Sequence, residues 1–524
     1  MSRNYKEICK EIRNTGFFSE YLPPCFELNK KVFLTIPKRN CDLIKPYSFT
    51  MSKFNNNRSR RTIHIPEIGS YAVVHNYISE QNIIKELLEF TESNSKSFSH
   101  ILMEDDSIMR HDQAYFINNQ SSSQNSSMYI SNITKKINRS VGAIKILKLD
   151  ISNCYSSFYS HMIPAILLGY EKAEKEYENE KDKDNKGEIR DSTDEDYDTY
   201  IKDRDLDTYI RNQNSARTNG LLVGPLLSKI ITEALLTRID IELEQAELNF
   251  SRYVDDYEIY LYEDNEDQVI NIVESVMTKY GFSLNDEKTE IVDFPFYIVE
   301  NFDKIIKLYR DGLDGEYELI KIFNDFLIME KNGTKGAVRY LLKDLERESL
   351  KTKKKDLLKS YLISVLSNDD RSLTKACSLL IQNNSTDELT IDDKKLLEKL
   401  LYFHMERSHD LEVLWLLYVL LETDNIKNND KIIDDLIESN NELAIIMLLR
   451  KELLSELHKE KIKEKAKSWI LNYELYADDL ISEETLCSNL LLDKNKKMYQ
   501  KMKERGIHFC YNSLLDEIDK ILMY

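Results

Sequence analysis

Two adjacent acids, Asp255 and Asp256, sit inside Phe250–Tyr262, FSRYVDDYEIYLY, in a run of aromatic and β-branched residues. Neighbouring carboxylates repel, and a pair forced together calls for a cation, most simply a divalent metal. A third acid, Asp150, closes Ile144–Asp150, IKILKLD, just before Ile151–His161, ISNCYSSFYSH. If those segments are neighbouring strands, three carboxylates converge. Two metal ions about 3.5–4 Å apart, held by such a set, can activate an attacking hydroxyl and steady a pyrophosphate leaving group.

The surrounding pattern must supply the strands. FSRYVDDYEIYLY reads as two short strands joined by a tight turn, because Tyr, Val, Ile and Phe favour strands and Asp tolerates turns. IKILKLD alternates and is β-branched, so it reads as a core strand with an acid at its end. An acid there is by itself more often a cap than a ligand. Asn219–Asp240 begins with a turn carrying Gly220, Gly224 and Pro225 and continues as an apolar-periodic helix. Glycines there let the backbone approach a ligand closely. Glu266–Tyr280 has helix periodicity, and Gly281–Phe296 reads as a turn and strands holding Lys288 in the tight segment NDEKT.

Upstream, residues 30–66 carry nine basic residues against the single acid Asp42, with Phe33, Tyr47, Phe49 and Phe54 interleaved. That composition suits phosphate contacts and base stacking, although a solvated basic loop has the same composition. Arg58, Arg60 and Arg61 precede a strand pattern and could clamp a triphosphate. Tyr71–Lys96 reads as helix. Residues 118–127 are a polar low-complexity run. Residues 171–208 hold 16 acids and 8 bases, and read as a charged helix or a disordered insertion, with a solvated face. From about residue 300 strand patterns vanish, and helical segments follow one another with short polar breaks, the pattern of antiparallel stacked helices. Trp415 in that half reads as core.

The bulk numbers exclude several classes. The 524 residues suffice for two to four domains, and 42% hydrophobic residues suffice for real cores. Neither a membrane-spanning apolar run nor a secretory leader is visible, so the expectation is a soluble protein without a membrane partner, in the cytoplasm. Seven scattered cysteines without a CxxC pair indicate neither a disulfide framework nor a zinc site. A net charge of −19 argues against non-specific coating of nucleic acid, while leaving room for a local basic channel.

The motifs together resemble the reverse transcriptase family. Asp150 with Ile151–Tyr155 resembles its first palm motif, Asn219–Ser228 the second, Tyr253–Asp256 the third and Asn285–Thr289 the fourth, in the family's order over residues 58–296. LDISNCYSSFYSH, LLSKIITE, SRYVDDY and NDEKT followed by DFPF are most similar to AbiK-type abortive-infection reverse transcriptases of bacterial phage defence. The resemblance implies an α+β fold: fingers beginning in residues 1–70, fingers and palm over 71–300, and an all-α, HEAT-like C-terminal domain over 301–524.

It also implies roles. Asp150, Asp255 and Asp256 would bind two Mg²⁺ ions. Tyr155 would stack under the sugar and select deoxynucleotides. Arg60 and Arg61 would hold the triphosphate of a dNTP, Lys288 would meet the leaving pyrophosphate, and Gly224 and Ser228 would shape the nucleotide floor. Template-copying members carry Pro-Gln-Gly where this chain has Leu222-Val223-Gly224, so Val223 replaces a glutamine that touches sugar and template. The AbiK-type branch implies template-independent DNA synthesis primed on a protein hydroxyl, single-stranded DNA attached to a tyrosine, and a homo-oligomer, trimer or hexamer, in the bacterial cytoplasm. Tyr5 is the first tyrosine such priming could use. The alternatives are a conventional RNA-templated enzyme with a structured RNA partner, and a non-catalytic defence sensor or scaffold. A nuclease in the helical half has little support from His404, His409, His458 and His508.

Overall fold

A computed structural model describes residues 4–34, 41–53, 59–100, 102–104, 107–109, 128–186, 195–297, 302–309, 312–347, 350–384, 388–423, 426 and 430–511. Lys38, Arg39, Phe54 and Arg58 of the basic segment, and the polar run 118–127, lie outside these residues.

The palm is one four-stranded antiparallel sheet. In chain order the strands are β1 (Tyr47–Ser52), β2 (Arg60–Ile65), β3 (Leu102–Glu104), β4 (Ser107–Met109), β5 (Lys145–Asp150), β6 (Phe250–Tyr253), β7 (Asp256–Leu261) and β8 (Glu290–Asp293). The sheet order is β6-β7-β5-β8, while β1-β2 and β3-β4 are separate ribbons. The register sets Asp150 opposite Asp256, Leu149 opposite Tyr257 and Leu147 opposite Ile259. Side chains alternate along a strand, so Leu147, Leu149, Tyr257 and Ile259 share one face and Lys148, Asp150, Asp256 and Glu258 the other. The apolar face packs with Ile230, Ile231, Leu235 and Leu236 of helix Leu226–Gln245 and with Val269, Val273 and Met277 of helix Glu266–Lys279. The polar face carries the candidate chemistry.

From Phe302 onward every described element is helical, and consecutive helices such as Lys355–Asn368 with Leu373–Asn384, and Ile391–Met405 with Asp410–Glu422, pack against each other. Their core is shared with the N-terminal segment: Phe17, Phe26, Phe49 and Ile63 belong to the same apolar cluster as Leu417, Trp469 and Phe509. Trp415 is buried as expected, and its indole N–H donates to the Tyr21 carbonyl at 2.7 Å. No described helix is long and apolar enough to cross a membrane.

Two expectations need correction. The segment expected as one helix over 71–96 is two, Ile68–Glu80 and Ile83–Glu92, broken at Asn82 with φ 56°. The acidic stretch 171–208 is more than a solvated face. Helix Glu195–Gln213 buries Tyr197, Tyr200, Leu206 and Ile210, and its Leu206 and Ile210 join the palm core. Tyr197, Tyr200 and Leu206 within the stretch, and Ile210 just beyond it, escape a compositional reading, yet helical spacing sets them on one buried face together with Asp203 and Asp207.

Candidate active site

The turn between β6 and β7 is Val254-Asp255, closed by the Tyr253–Asp256 pair. The left-handed residue is Val254, φ 57°, where an aspartate was the expected turn former. A β-branched residue there is unusual and costs about 1–3 kcal/mol, so surrounding contacts must hold it. The Val254 N–H donates to Ser99 Oγ at 2.8 Å, and its carbonyl accepts from Arg252 Nη1 at 3.0 Å.

That turn brings Asp255 and Asp256 to Asp150: the three carboxylates each offer an oxygen within 4.8 Å of the others. Asp150 is buried, Asp255 half-buried and Asp256 exposed. The Ile151 N–H donates to the Asp255 carbonyl at 3.2 Å and the Asn285 N–H to the Asp150 carbonyl at 2.8 Å, tying the two strand ends and the NDEKT segment together. The NDEKT side chains then reach the first acid. Lys288 Nζ is 2.8 Å from Asp150 Oδ1, and Asn285 Nδ2 donates to Asp150 Oδ2 at 3.1 Å.

Electrostatics agree with the geometry. Burial and then the Asp150 charge raise the Asp255 pKa above its ordinary value. Partial loss of hydration and then the Asp255 charge push Asp256 up to about 7. Burial works against the charge of Lys288, but the carboxylates, Asp150 first, hold its pKa above normal. One lysine against three acids leaves the cluster under-neutralised, and a hard oxygen-only donor set with that deficit suits a divalent cation.

The remaining expected residues divide. Arg61 is exposed; burial raises the pKa of both Asp255 and Tyr155, and the charge of Arg61 opposes each shift only weakly. Arg60 is not brought to the triad. Its guanidinium makes a two-pronged contact with Glu412, Nη1 to Oε1 at 2.8 Å and Nη2 to Oε2 at 2.5 Å. Adjacent strand residues point to opposite faces, so a single ribbon cannot aim both arginines at one ligand. Tyr155 is half-buried in the one-turn helix Cys154–Ser157 after β5, and its carbonyl accepts from Leu221 N at 2.9 Å.

Gly224, φ 129°, lies where the loop meets the β1-β2 ribbon: a Cβ there would come 2.8 Å from the His64 carbonyl oxygen. The neighbouring Val223 carbonyl accepts from His64 N at 2.7 Å. Gly224 therefore allows palm and ribbon to touch. Ser228 is buried in the first turn of helix Leu226–Gln245. Tyr5 lies elsewhere, its hydroxyl donating to Glu89 at 3.2 Å.

Sequence reasoning passed over Asn285, although it stands within the quoted NDEKT. It also passed over Arg252, whose signal was legible: one charge inside the apolar strand directly before Tyr253.

The family described as "Reverse transcriptase (RNA-dependent DNA polymerase)" matches residues 190–337. That span holds Gly224, Ser228, Asp255, Asp256 and Lys288 and excludes Arg60, Arg61, Asp150 and Tyr155. No curated protein matches the chain. Among solved structures, telomerase from Candida albicans, in complex with a TWJ fragment of telomeric RNA, aligns over 71% of this chain and 66% of its own, at 16% identity and TM-score 0.27. Telomerase from Candida tropicalis with the same type of fragment aligns over 77% and 63%, at 11% identity and TM-score 0.29. Its apo form aligns over 77% and 66%, at 12% identity and TM-score 0.30. The alignments thus span just under two thirds of those chains. Residues 190–337 of the chain thus form a reverse transcriptase domain, the domain of RNA-directed DNA polymerases.

Proposed function

We propose that this protein is a phage-defence polymerase that builds DNA from dNTPs without copying a template, starting from a hydroxyl of the protein itself. The observation that carries the polymerase chemistry is the convergence of Asp150, Asp255 and Asp256 within 4.8 Å, with Lys288 on Asp150. Asp150, Asp255 and Asp256 would hold two Mg²⁺ ions. Bound there, the ions supply the charge that activates a 3′-hydroxyl and stabilises the departing pyrophosphate.

The chain's own residues do the rest. Arg61 binds triphosphate oxygens, Tyr155 stacks under the deoxyribose, and Lys288 holds a proton at Nζ for the leaving pyrophosphate. Gly224 and Ser228 shape the floor beneath the base. Untemplated synthesis is supported by Val223, whose side chain packs against the apolar core and has no group to hydrogen-bond a sugar or template. The defence role, a tyrosine-linked product, a homo-oligomer and a bacterial cytoplasmic location rest on the motif resemblance.

The test is incubation of purified protein with Mg²⁺ and dNTPs, without primer or template. DNA that migrates with the protein after denaturation, and vanishes in Asp255→Asn/Asp256→Asn, is expected. Synthesis only upon addition of RNA, with a product complementary to it, would establish a conventional RNA-templated enzyme instead. Retention of full phage protection by the double variant would sink the enzymatic reading altogether. Light scattering of the intact protein checks the oligomer.

A further inference from the structure

Arg252 is fully buried beneath the metal-binding turn. Its guanidinium spans two acids and one backbone carbonyl. Nη1 and Nη2 meet Glu233 Oε2 and Oε1, each at 2.9 Å, and Nε meets Asp240 Oδ2 at 2.8 Å. Nη1 also donates to the Val254 carbonyl at 3.0 Å. On the other side of that residue, Ser99 Oγ accepts the Val254 N–H and donates to the same Glu233, Oε2, at 2.9 Å. Ser97 adds a hydrogen bond to Glu233 Oε1 at 2.6 Å. Both backbone polar groups of Val254 are thus gripped by one Glu233-centred network. The residue gripped is the left-handed one, and the next two are Asp255 and Asp256.

We propose that Arg252 is a positioning residue, with Ser99 its counterpart, that holds the strained Val254 peptide and so sets Asp255 and Asp256 at metal-binding distance from Asp150. This rests on the metal-site reading of the triad. A planar fork with five donors reaches both Glu233 oxygens, Asp240 and the Val254 carbonyl at once; a lysine, with three donors on one nitrogen, cannot. The grip on Val254 is separable from the network's far end, where the Tyr257 hydroxyl donates to Asp240 Oδ1 at 2.9 Å.

The test is Mn²⁺ binding to the full-length protein, followed by electron paramagnetic resonance, beside thermal unfolding. Arg252→Lys should bind Mn²⁺ about 10–100-fold more weakly, as expected when a residue supporting a ligand is altered. Ser99→Ala, a small change that keeps the ion pair, should weaken binding in the same direction. Tyr257→Phe should lower the unfolding temperature while leaving Mn²⁺ affinity unchanged. If Arg252→Lys does not fold, Ser99→Ala against Tyr257→Phe decides alone. Wild-type affinity in Ser99→Ala, or an equal loss in Tyr257→Phe, overturns the inference, as does a wild-type protein that binds no Mn²⁺ at the triad. A wild-type protein that binds Mn²⁺ but makes no DNA would refute the polymerase reading and leave the positioning role standing.

Discussion

Lys288 Nζ lies 2.8 Å from Asp150 Oδ1, across 138 positions of sequence. The contact joins the fourth motif to the first, and it gives the lysine a place beside the acid cluster without closing it off, since the Lys288 side chain is 60% exposed. A cation so placed is free to swing to a leaving group. Lys288→Met should slow nucleotide incorporation about 10²-fold and remove the alkaline limb of the pH–rate profile, which lies above about pH 10 because the carboxylates hold the lysine's pKa above normal, read from single-turnover kinetics over about pH 8–11. A profile unchanged in shape would remove the proton-donor role.

The two neighbouring arginines should separate cleanly. Arg60 pairs with Glu412, whose side chain is only 2% exposed, so Arg60→Ala leaves a buried acid alone and should cost about 3 kcal/mol of stability. Arg61→Ala should keep the unfolding temperature and raise the apparent KM for dNTP roughly tenfold, as expected for loss of a charged triphosphate contact. Denaturant unfolding and steady-state kinetics on both variants settle the division.

Gly224 allows the palm loop to meet the β1-β2 ribbon. Gly224→Ala puts a Cβ 2.8 Å from the His64 carbonyl and 3.1 Å from Ile63 Cγ2, at a backbone φ of 129°. The substitution should cost about 1–3 kcal/mol and reduce activity, because the ribbon carries Arg61. Unfolding curves show the first, and dNTP incorporation the second.

Asp203 supplies a pH test away from the site. It is 4% exposed and its Oδ2 has no partner, and burial pushes its pKa up to about 7. Because the folded pKa is raised, the acid's stability contribution is present below about pH 4 and is lost as pH climbs to about 7. Asp203→Asn stays neutral throughout. The variant's gain in unfolding temperature should therefore grow from pH 5 to pH 7, to about 1–3 °C, and level off above it. A gain independent of pH would mean the carboxylate is ionised in the folded protein.

The sequence by itself determined the ingredients of the site. Period-two alternation in IKILKLD and FSRYVDDYEIYLY identified strands β5, β6 and β7, and the adjacent acids identified their chemistry, because alternation and like-charge repulsion are local properties. The helical second half was legible for the same reason. Tertiary structure decided what depends on pairing. Register placed Asp150 opposite Asp256, and the ribbon's docking on the helical half drew Arg60 to Glu412 and left Arg61 exposed. The left-handed turn residue also fell to Val254, because a buried network anchored 21 residues upstream at Glu233 repays its backbone strain. Such an arrangement has no local signature: the residues that grip Val254, from Ser99 to Arg252, meet only when the chain is folded.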